Sequence, residues 1–301
     1  MVQLRTDPPV SLSVVICTWN RGDRLDKTLR SLLASEPPSL AEVELLVVDN
    51  ASTDNTKIVV ERFATAGVRY AFEGSAGLSH ARNLGVRLSR SQWILFLDDD
   101  VEIESDFFSR YLEEIRRNTD YGFFGGPITP HFEGPRRSWT PYVMESHGWV
   151  YSCLELGAPS REFGPHQVPF GANLCVRRQL LLQVPFSPDF GYRHGALIPG
   201  EETAVINQLR ETGVRGKWLY DCAVRHCLPE SRNKLMYLLR RAYGQGCSSG
   251  SLLLGAGASR RWAYKALATQ LLAMPKALFF EPLSAMSSLI EMAFLLGILS
   301  V

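Results

Sequence analysis

Three consecutive carboxylates, Asp98, Asp99 and Asp100, directly follow the apolar run at 93–97. Two like charges about 4 Å apart repel by roughly 4 kcal/mol at an effective dielectric constant near 20, so a cation or solvent must relieve such a cluster. On an extended chain Asp98 and Asp100 would share one face, whereas Asp99 would point away. Two convergent carboxylates suit Mg²⁺ or Mn²⁺, which proteins often hold together with phosphates of a substrate. The alternative is a solvated acidic turn after a strand.

The apolar run before the aspartates is one of four short strands predicted in the first third of the chain. These runs are apolar or β-branched, as in a buried parallel sheet, and lie at 12–17, 43–48, 68–72 and 93–97. Helical patterns separate them. The helix after the second strand is expected to have its N-cap within 52–54 and to end at Gly67. The alternation predicts an α/β fold with a doubly wound, mainly parallel sheet.

The second half of the sequence predicts a more irregular arrangement. Residues 130–170 are rich in Pro, Gly and aromatic residues, which indicates long loops shaping a cleft. "FGANLCVRR" at 170–178 predicts a strand, and "KWLYDCAVRHC" at 217–227 predicts another that leads to His226. Between them, a helix is expected to begin near Glu201 and to end at Gly213.

Polar residues follow all four early strands, at the edge where ligands bind in open α/β sheets. The first strand runs into "TWNRGD", the second into Asp49 and Asn50, the third into "EGSAGLSHARN" and the fourth into the aspartates. No G-x-x-x-x-G-K-[ST] occurs and no G-x-G-x-x-G follows the first strand, which weakens ATPase and dehydrogenase interpretations. The sequence therefore predicts a binding crevice of a different kind.

Composition narrows the possible partners and compartment. A net charge of +1, without a basic stripe carrying interleaved aromatics, predicts that nucleic acid is not a partner. The six scattered cysteines fit a reducing compartment, and the N-terminus has no apolar leader, so a cytoplasmic location is expected. A zinc cluster of Cys222, His226 and Cys227 is disfavoured because no fourth ligand has suitable spacing.

Six segments, in this order and at these spacings, resemble glycosyltransferase family 2, the inverting GT-A enzymes. They are "SVVICTWNR", "VVDNASTDNT", "GLSHARNLG", "FLDDD", "FGANLCVRR" and "GEET". The resemblance covers roughly 11–227. It implies a GT-A domain at 1–230, with a nucleotide-binding half at about 11–100 and an acceptor half at about 101–230. Residues 231–301 would then form a C-terminal helical extension.

The resemblance also implies roles for individual residues. The nucleotide sugar would be bound by residues of the strand ends and of "HARN", namely Thr18, Asn20, Arg21, Asp49, Arg82 and Asp98. Asp49 would lie near the base and Arg82 near the nucleotide sugar. Asp98 and Asp100 would hold the divalent metal, Mn²⁺ or Mg²⁺, and His226 would be a further ligand. A lone histidine at a strand end is otherwise an ordinary surface or hydrogen-bonded residue.

The catalytic base is expected within the Glu201-Glu202 pair. By comparison with the family's Glu-Asp pattern, Glu202 would be the base, and Glu201 would position the acceptor or the helix. Adjacent helical residues point about 100° apart, so only one is expected to face the cleft. Because anions are also favoured at a helix N-terminus, one or both could simply be N-terminal charges. The family's Asp is replaced by Glu here, so the base would be one methylene longer.

These roles imply a single displacement from a nucleotide-diphosphate sugar to an acceptor hydroxyl, with inversion. The acceptor would be a glycan or lipid-linked molecule in polysaccharide, glycolipid or cell-envelope glycan synthesis. The Q-x-x-R-W signature of processive synthases is missing, since "SRRW" at 259–262 retains only its last two letters, which favours transfer of a single sugar. The alternatives are a nucleotidyltransferase that makes sugar nucleotides and a non-catalytic module that binds them.

The tail adds an expectation about membranes. Residues 282–301 are mostly apolar and interrupted by Glu291, and basic residues precede them from Arg232 to Lys265. The run is long enough to span a bilayer, and the pattern favours peripheral or tail-anchored attachment through 231–301 at the cytoplasmic face of a membrane, facing anionic lipid. The alternative is a helix packed on the catalytic core.

Overall fold

A computed structural model describes residues 10–35, 43–193, 196–255, 259–280 and 282–301. The strands are β1 Leu12–Thr18, β2 Val43–Asp49, β3 Arg69–Phe72, β4 Trp93–Leu97, β5 Val101–Ile103, β6 Phe123–Gly125, β7 Ile128–Glu133, β8 Arg161–Glu162, β9 Asn173–Arg177, β10 Gly191–Arg193, β11 Ala196–Ile198, β12 Gly216–Trp218 and β13 Val224–Pro229. The helices are α1 Gly22–Ala34, α2 Thr56–Glu61, α3 Leu78–Leu88, α4 Phe107–Arg117, α5 Thr140–His147, α6 Arg178–Gln183, α7 Glu201–Glu211, α8 Leu235–Gly255, α9 Arg261–Phe280 and α10 Pro282–Ser300.

The main sheet has eight strands in the order β3, β2, β1, β4, β9, β6, β12 and β8. The four predicted early strands are confirmed and pair in parallel, with β1 between β2 and β4. Beyond β4 the sheet is mixed, because β9 runs antiparallel to both β4 and β6. The sheet therefore contains strands from both predicted halves, and the domain boundary near 230 stays a prediction.

Apolar side chains fill both faces of the main sheet. On one face, β1 and β4 pack with α1 and α4 through residues such as Leu29 and Tyr111, which are fully buried. On the other face, alternate residues of the same strands pack against α3 and α7, as Val15 and Ile206 do. Because successive strand residues point to opposite faces, near-continuous apolar strands are needed to form both layers.

A second sheet, in the order β5, β13 and β7, adjoins the carboxyl end of β4. The prediction of one strand over 217–227 is wrong, since β12 belongs to the main sheet and β13 to the second. A turn in which the Cys222 N–H donates to the Leu219 carbonyl (3.2 Å) carries the chain between them. The predicted loop region 130–170 is also partly regular, because it contains α5, β8 and the end of β7.

The predicted helix signals are mostly confirmed. Gly67 and Gly213 follow their helical segments in the left-handed conformation, with φ of 87° and 84°. The cap of α2 lies one residue beyond the expected range, at Asn55. Asp54 nevertheless contributes, since its carboxylate accepts the Thr56 N–H at 3.0 Å.

The tail is helical, as predicted, and α10 packs on α8. The two helices approach closely at glycines: a Cβ on Gly246 would lie 1.9 Å from the carbonyl oxygen of Phe294. Ile290 of α10 is fully buried in a cluster with Leu238 of α8 and Val143 of α5. Packing of 282–301 on the core, the alternative considered for this run, is therefore confirmed. Among the described residues, no helix is both long and apolar enough to cross a membrane.

Candidate active site

A cavity of about 830 Å³ opens at the carboxyl ends of β1 and β4. Its size is typical of sites for small molecules. Seven predicted site residues line it: Thr18, Asn20, Arg21, Arg82, Asp98, Glu201 and Glu202. Asp49 lies in an adjacent pocket, whereas Asp100 and His226 are buried beside the cavity. The predicted strand-end crevice is thus present, and helices α8 and α10 form another part of its wall.

Asp99, the middle aspartate, holds the loop after β1 in place through hydrogen bonds and an ion pair. The Thr18 hydroxyl donates to Asp99 Oδ2 at 2.7 Å, and Arg21 pairs with Asp99 Oδ1. Asp99 is 4% exposed, and burial raises its pKa. The expectation that Asp99 points away from the other two is wrong, because Arg21 Nη1 contacts both Asp99 Oδ1 and Asp100 Oδ2, and Asp99 lines the cavity together with Asp98. Arg21, expected at the nucleotide, is held by the acidic cluster.

The extended geometry expected for the three aspartates is wrong. β4 ends at Leu97, and Asp99 and Asp100 lie in a turn. The turn forms because β5 begins immediately after it and pairs with β13, with Val101 opposite His226. This pairing places the histidine inside a strand and beside Asp100, instead of after the last strand as predicted.

Asp100 has two differently engaged carboxylate oxygens. Its Oδ2 lies 3.0 Å from Arg21 Nη1 and 3.2 Å from Arg232 Nη2. Burial opposes ionisation, but His226, Arg232 and Arg21 hold the pKa of Asp100 well below its usual range. Its Oδ1 is buried, lies 3.0 Å from His226 Nε2, and has no hydrogen-bond donor in the described structure. An ionised, unpartnered oxygen beside an imidazole nitrogen is suited to a cation.

Asp98, Asp100 and His226 form a possible metal site. One ligand atom from each residue lies within 4.8 Å of the other two. Two carboxylates favour Mg²⁺ or Mn²⁺, and neutral imidazole is a common additional ligand. The residues therefore fit the divalent cation that the sequence predicts. Within the described part of the chain this is the one such cluster, and it includes neither Cys222 nor Cys227.

Helix α7 brings both glutamates to the cavity. The five consecutive residues 199–203 all line it, because the start of the helix projects into the space. The expectation that only one glutamate faces the cleft is therefore wrong. Their partners differ, however. Glu201 pairs with Arg82 and accepts the Gly200 N–H at 3.1 Å, whereas Glu202 Oε2 is buried without a hydrogen-bond partner among the described residues.

The surroundings of Glu202 favour its neutral form. Burial and the neighbouring Glu201 carboxylate raise the pKa of Glu202 to about 8. The Arg82 guanidinium, 3.9 Å from Glu202 Oε2, opposes this increase. A carboxylate with a pKa near neutrality is matched to proton transfer from an alcohol in a catalytic cycle. The structure thus gives the two adjacent glutamates different chemical properties.

Arg82 is held rigidly at the floor of the cavity. Its guanidinium lies between the rings of Phe96 and Phe186, 5.5 and 5.4 Å from the centroids, and 4% of the residue is exposed. Gly171 completes this enclosure, since a Cβ at that position would lie 1.9 Å from Arg82 Nη2. The sequence includes Gly171 in a predicted strand, but only the structure shows why no side chain fits there.

The loops after β1 and β2 are joined by Asn20 and Asp49. Asn20 adopts a left-handed conformation, with φ of 52°, and its Oδ1 accepts the Thr53 N–H at 2.7 Å. Asp49 accepts the Ser52 N–H and the Tyr70 hydroxyl, each at 2.9 Å. Asp49 lines the adjacent pocket, together with Lys57 and Phe72 among others. A planar base would find polar atoms and an aromatic ring there.

Sequence reasoning missed the contribution of the tail to the site. Arg232 belongs to the basic segment that was predicted to contact anionic lipid. Its guanidinium instead contacts Asp100 and lies 3.0 Å from His226 Nε2. Tyr237 and Arg241 of α8 line the cavity. Their spacing of four residues is a helical signal that was present in the sequence, but the sequence does not show which elements α8 contacts.

The fold and cavity together define a GT-A glycosyltransferase. The family model for glycosyl transferase family 2 matches residues 13–183, which is more than half of the chain. The chain belongs to this family, as the sequence motifs predicted.

Relatives extend the match beyond those residues. The succinoglycan biosynthesis protein ExoM of Rhizobium meliloti (strain 1021) is 28% identical over 247 residues, covering 80% of this chain and 75% of that protein. Validoxylamine A glucosyltransferase of Streptomyces hygroscopicus subsp. jinggangensis (strain 5008) is 40% identical over 93 residues, covering 30% and 22%. The chain is therefore a glycosyltransferase related to enzymes of polysaccharide biosynthesis.

Solved structures confirm the fold. The mannosyltransferase PcManGT from Pyrobaculum calidifontis, in complex with GDP-Man and Mn²⁺, superposes with a TM-score of 0.64 at 18% identity, covering 96% of this chain and 87% of that one. TarS 1–349 of S. aureus in complex with UDP-GlcNAc has a TM-score of 0.53 at 17% identity, covering 78% and 66%.

Proposed function

We propose that this protein is an inverting, metal-dependent glycosyltransferase that moves a single sugar from a nucleotide-diphosphate sugar to an acceptor hydroxyl. The acceptor is a glycan or lipid-linked molecule in polysaccharide, glycolipid or cell-envelope glycan synthesis. The observation that supports this most strongly is one cavity lined by both Asp98, of the possible metal site, and Glu202, whose Oε2 has no hydrogen-bond partner among the described residues. Leaving-group stabilisation and proton removal are the two tasks of a single displacement.

The donor side follows from the strand-end loops. Asp49 and the pocket beside it receive the base, and Asn20 and Thr18 fix the loop that passes over the nucleotide. Asp98, Asp100 and His226 would hold Mn²⁺ or Mg²⁺, which when bound neutralises charge on the leaving diphosphate. Arg82 lies near the transferred sugar and holds the Glu201 side chain in place through their buried ion pair.

Glu202 then acts on the acceptor. Its free Oε2 accepts the proton of the acceptor hydroxyl while that oxygen attacks the anomeric carbon. The bond from this carbon to the diphosphate oxygen breaks on the opposite face, so configuration inverts. Glu201 cannot readily take this role because its oxygens are engaged by Arg82 and the Gly200 N–H. We assign Glu201 to positioning.

A donor screen tests this function. The full chain is incubated with Mn²⁺ and a panel of UDP-, GDP- and dTDP-sugars, and release of nucleoside diphosphate is measured with and without EDTA. Release that depends on the metal and is increased by an acceptor extract supports the proposal, and NMR of the product's anomeric proton shows whether configuration inverts. Release of pyrophosphate would instead indicate a nucleotidyltransferase, and binding without turnover a non-catalytic module.

Attachment to the cytoplasmic face of a membrane is part of this proposal. The exposed face of α9 supports it, because Trp262 and Leu272 are 46% and 82% exposed beside the basic residues Arg261 and Lys265. Exposed aromatic, aliphatic and basic residues on one helix are typical of contact with anionic lipid. Sedimentation with phosphatidylglycerol vesicles, but not with phosphatidylcholine vesicles, is expected. Equal recovery with both would contradict the assignment.

A further inference from the structure

One side of α8 forms a polar stripe along the cavity. Its cavity-lining residues recur every four positions and are Tyr237, Arg241, Gln245 and Ser249. Four residues correspond to slightly more than one helical turn, so these side chains lie along one side of the helix. With a rise of 1.5 Å per residue, the stripe is about 18 Å long, which exceeds the length of one sugar.

The stripe extends from the metal site to the helix that carries the glutamates. Arg232, three residues before α8, contacts Asp100 at 3.2 Å. Near the other end, Ser248 packs against the start of α7, since a Cβ on Gly200 would lie 3.3 Å from Ser248 Cβ. Arg241 lies between these two contacts along the helix. It therefore lies on the part of the stripe between the metal site and the start of α7, the helix that carries Glu202.

Arg241 differs from the other arginines that line the cavity. Arg21 and Arg232 pair with the aspartates, and Arg82 pairs with Glu201. Arg241 is half-buried and makes no ion pair or hydrogen bond with any described residue. A half-buried guanidinium without a partner carries an unmet desolvation cost, which an anionic ligand would offset.

The wall next to the α8 stripe offers apolar faces to a sugar. Trp149 and Phe294 line the cavity with their ring centroids 5.8 Å apart, and Phe294 belongs to α10. Glu291, one turn earlier on α10, also lines the cavity and lies 3.4 Å from His147 Nε2. This wall can stack a sugar ring and accept a hydroxyl hydrogen bond, but its carboxylate repels a second anion. Arg241 is therefore the position for the acceptor's negative charge.

We propose that the α8 stripe and the Trp149–Phe294 pair form the acceptor subsite, and that Arg241 pairs with a phosphate or carboxylate on the acceptor. This inference rests on the proposed glycosyl transfer and names its acceptor class as anionic. An arginine suits such a group because its fork can bind two oxygens at once.

Matched acceptor pairs test the inference with the full chain. One pair is a uronate-containing trisaccharide and its carboxyl-reduced neutral form. The other is a polyprenyl diphosphate-linked sugar and the same sugar on a neutral polyprenol. Transfer is measured by kcat/KM, and binding by saturation-transfer NMR with UDP or GDP and Mn²⁺ present. In one of the two pairs, we expect kcat/KM to be about 10- to 100-fold higher for the charged member than for the neutral one. A preference in the trisaccharide pair would identify the anion as a carboxylate, and a preference in the polyprenyl pair would identify it as a diphosphate.

Arg241→Gln is expected to abolish this preference, and Arg241→Lys to restore part of it. Arg240→Gln is the matched control, because it removes the same charge from an exposed neighbour outside the cavity. Nucleoside diphosphate affinity should be equal in all four proteins. Equal use or binding of both members by the wild type, a preference retained in Arg241→Gln, or weakened nucleotide binding in that variant would each overturn the inference. Failure of the proposed function would appear differently, as no nucleoside diphosphate release from any nucleotide sugar.

Discussion

Asp100 Oδ1 lies 3.0 Å from His226 Nε2, although 126 positions separate the two residues in the sequence. Their backbones are joined as well, because the N–H of Cys227 donates to the Asp100 carbonyl at 2.7 Å. The register between β5 and β13 thus determines the separation of a carboxylate and an imidazole. His226 lies within this strand pair, which holds a side chain more firmly than a loop alone does.

This arrangement predicts different consequences for the two outer aspartates. Asp98 has no hydrogen bond or ion pair with a described residue, so Asp98→Ala should remove Mn²⁺-dependent binding of UDP or GDP with little change in stability. Asp100→Ala should also lower the free energy of unfolding, by about 3 kcal/mol, because Arg21 and Arg232 lose a buried partner. Calorimetric titration and urea denaturation measure the two quantities.

Relief of like-charge repulsion would by itself make the Asp100→Ala protein more stable, so the sign of the stability change shows which effect is larger. If Asp100→Ala were as stable as the wild type, the contacts of Asp100 with Arg21 and Arg232 would make no net contribution to the free energy of unfolding. If Asp98→Ala retained metal-dependent nucleotide binding, or if EDTA left turnover unchanged, the assignment of the metal site would be wrong.

A second prediction concerns the enclosure of Arg82. Gly171→Ala places a methyl group 1.9 Å from Arg82 Nη2, so the guanidinium must move away from Glu201 or the β9 segment must shift. We expect a loss of about 1–3 kcal/mol in stability, as is usual for overpacking, and a clear loss of activity. Gly74→Ala is the control, since a Cβ there has no neighbour closer than 3.5 Å. Equal activity of Gly171→Ala and Gly74→Ala would show that activity does not depend on the present position of Arg82.

Much of the fold follows from sequence because its signals are local. The strands at 12–17 and 93–97 have the apolar runs that a sheet buried on both faces requires, and Gly213 ends α7 through its own backbone conformation. The division of 217–227 between two sheets depends on partners far away in the chain. No local pattern distinguishes one long strand from two strands joined by the turn at Leu219–Cys222.

The candidate site shows the same limit. Residue types and order indicated Asp98, Asp100 and the glutamate pair, but their individual partners are long-range. Nothing in the sequence near Glu201 shows that its carboxylate is hydrogen-bonded to Arg82 while Oε2 of Glu202 has no hydrogen-bond partner among the described residues. The placement of Arg232 on Asp100 likewise depends on how the tail packs.

A third prediction separates the two glutamates. Glu202→Gln retains size and hydrogen bonding but cannot accept a proton, so turnover should fall by about 10²- to 10⁴-fold with unchanged donor affinity. Glu201→Gln should leave measurable turnover but loosen Arg82, since the amide cannot form the buried ion pair. The measurement is kcat together with donor affinity in both variants. An inactive Glu201→Gln beside an active Glu202→Gln would reverse the roles, and normal turnover in both would exclude either as the base.

The last prediction uses the raised pKa of Glu202, about 8 instead of 4.5. Because only the ionised carboxylate accepts a proton, kcat/KM should rise with pH up to about 8 and then level off. Stability should change in the opposite direction. Between pH 4.5 and 8 the folded protein holds this proton more tightly than the unfolded chain does, so the free energy of unfolding falls as pH rises.

Glu202→Gln has no such proton and should lack this contribution to the pH dependence. Urea denaturation of both proteins at pH 5, 7 and 9 should therefore show Glu202→Gln gaining stability relative to the wild type as pH increases. Glu61→Gln is a suitable control, because Glu61 is exposed on α2 away from the cavity. Parallel stability curves for Glu202→Gln and the wild type would mean that burial does not disfavour ionised Glu202. The rise of kcat/KM with pH would then be caused by the titration of another group.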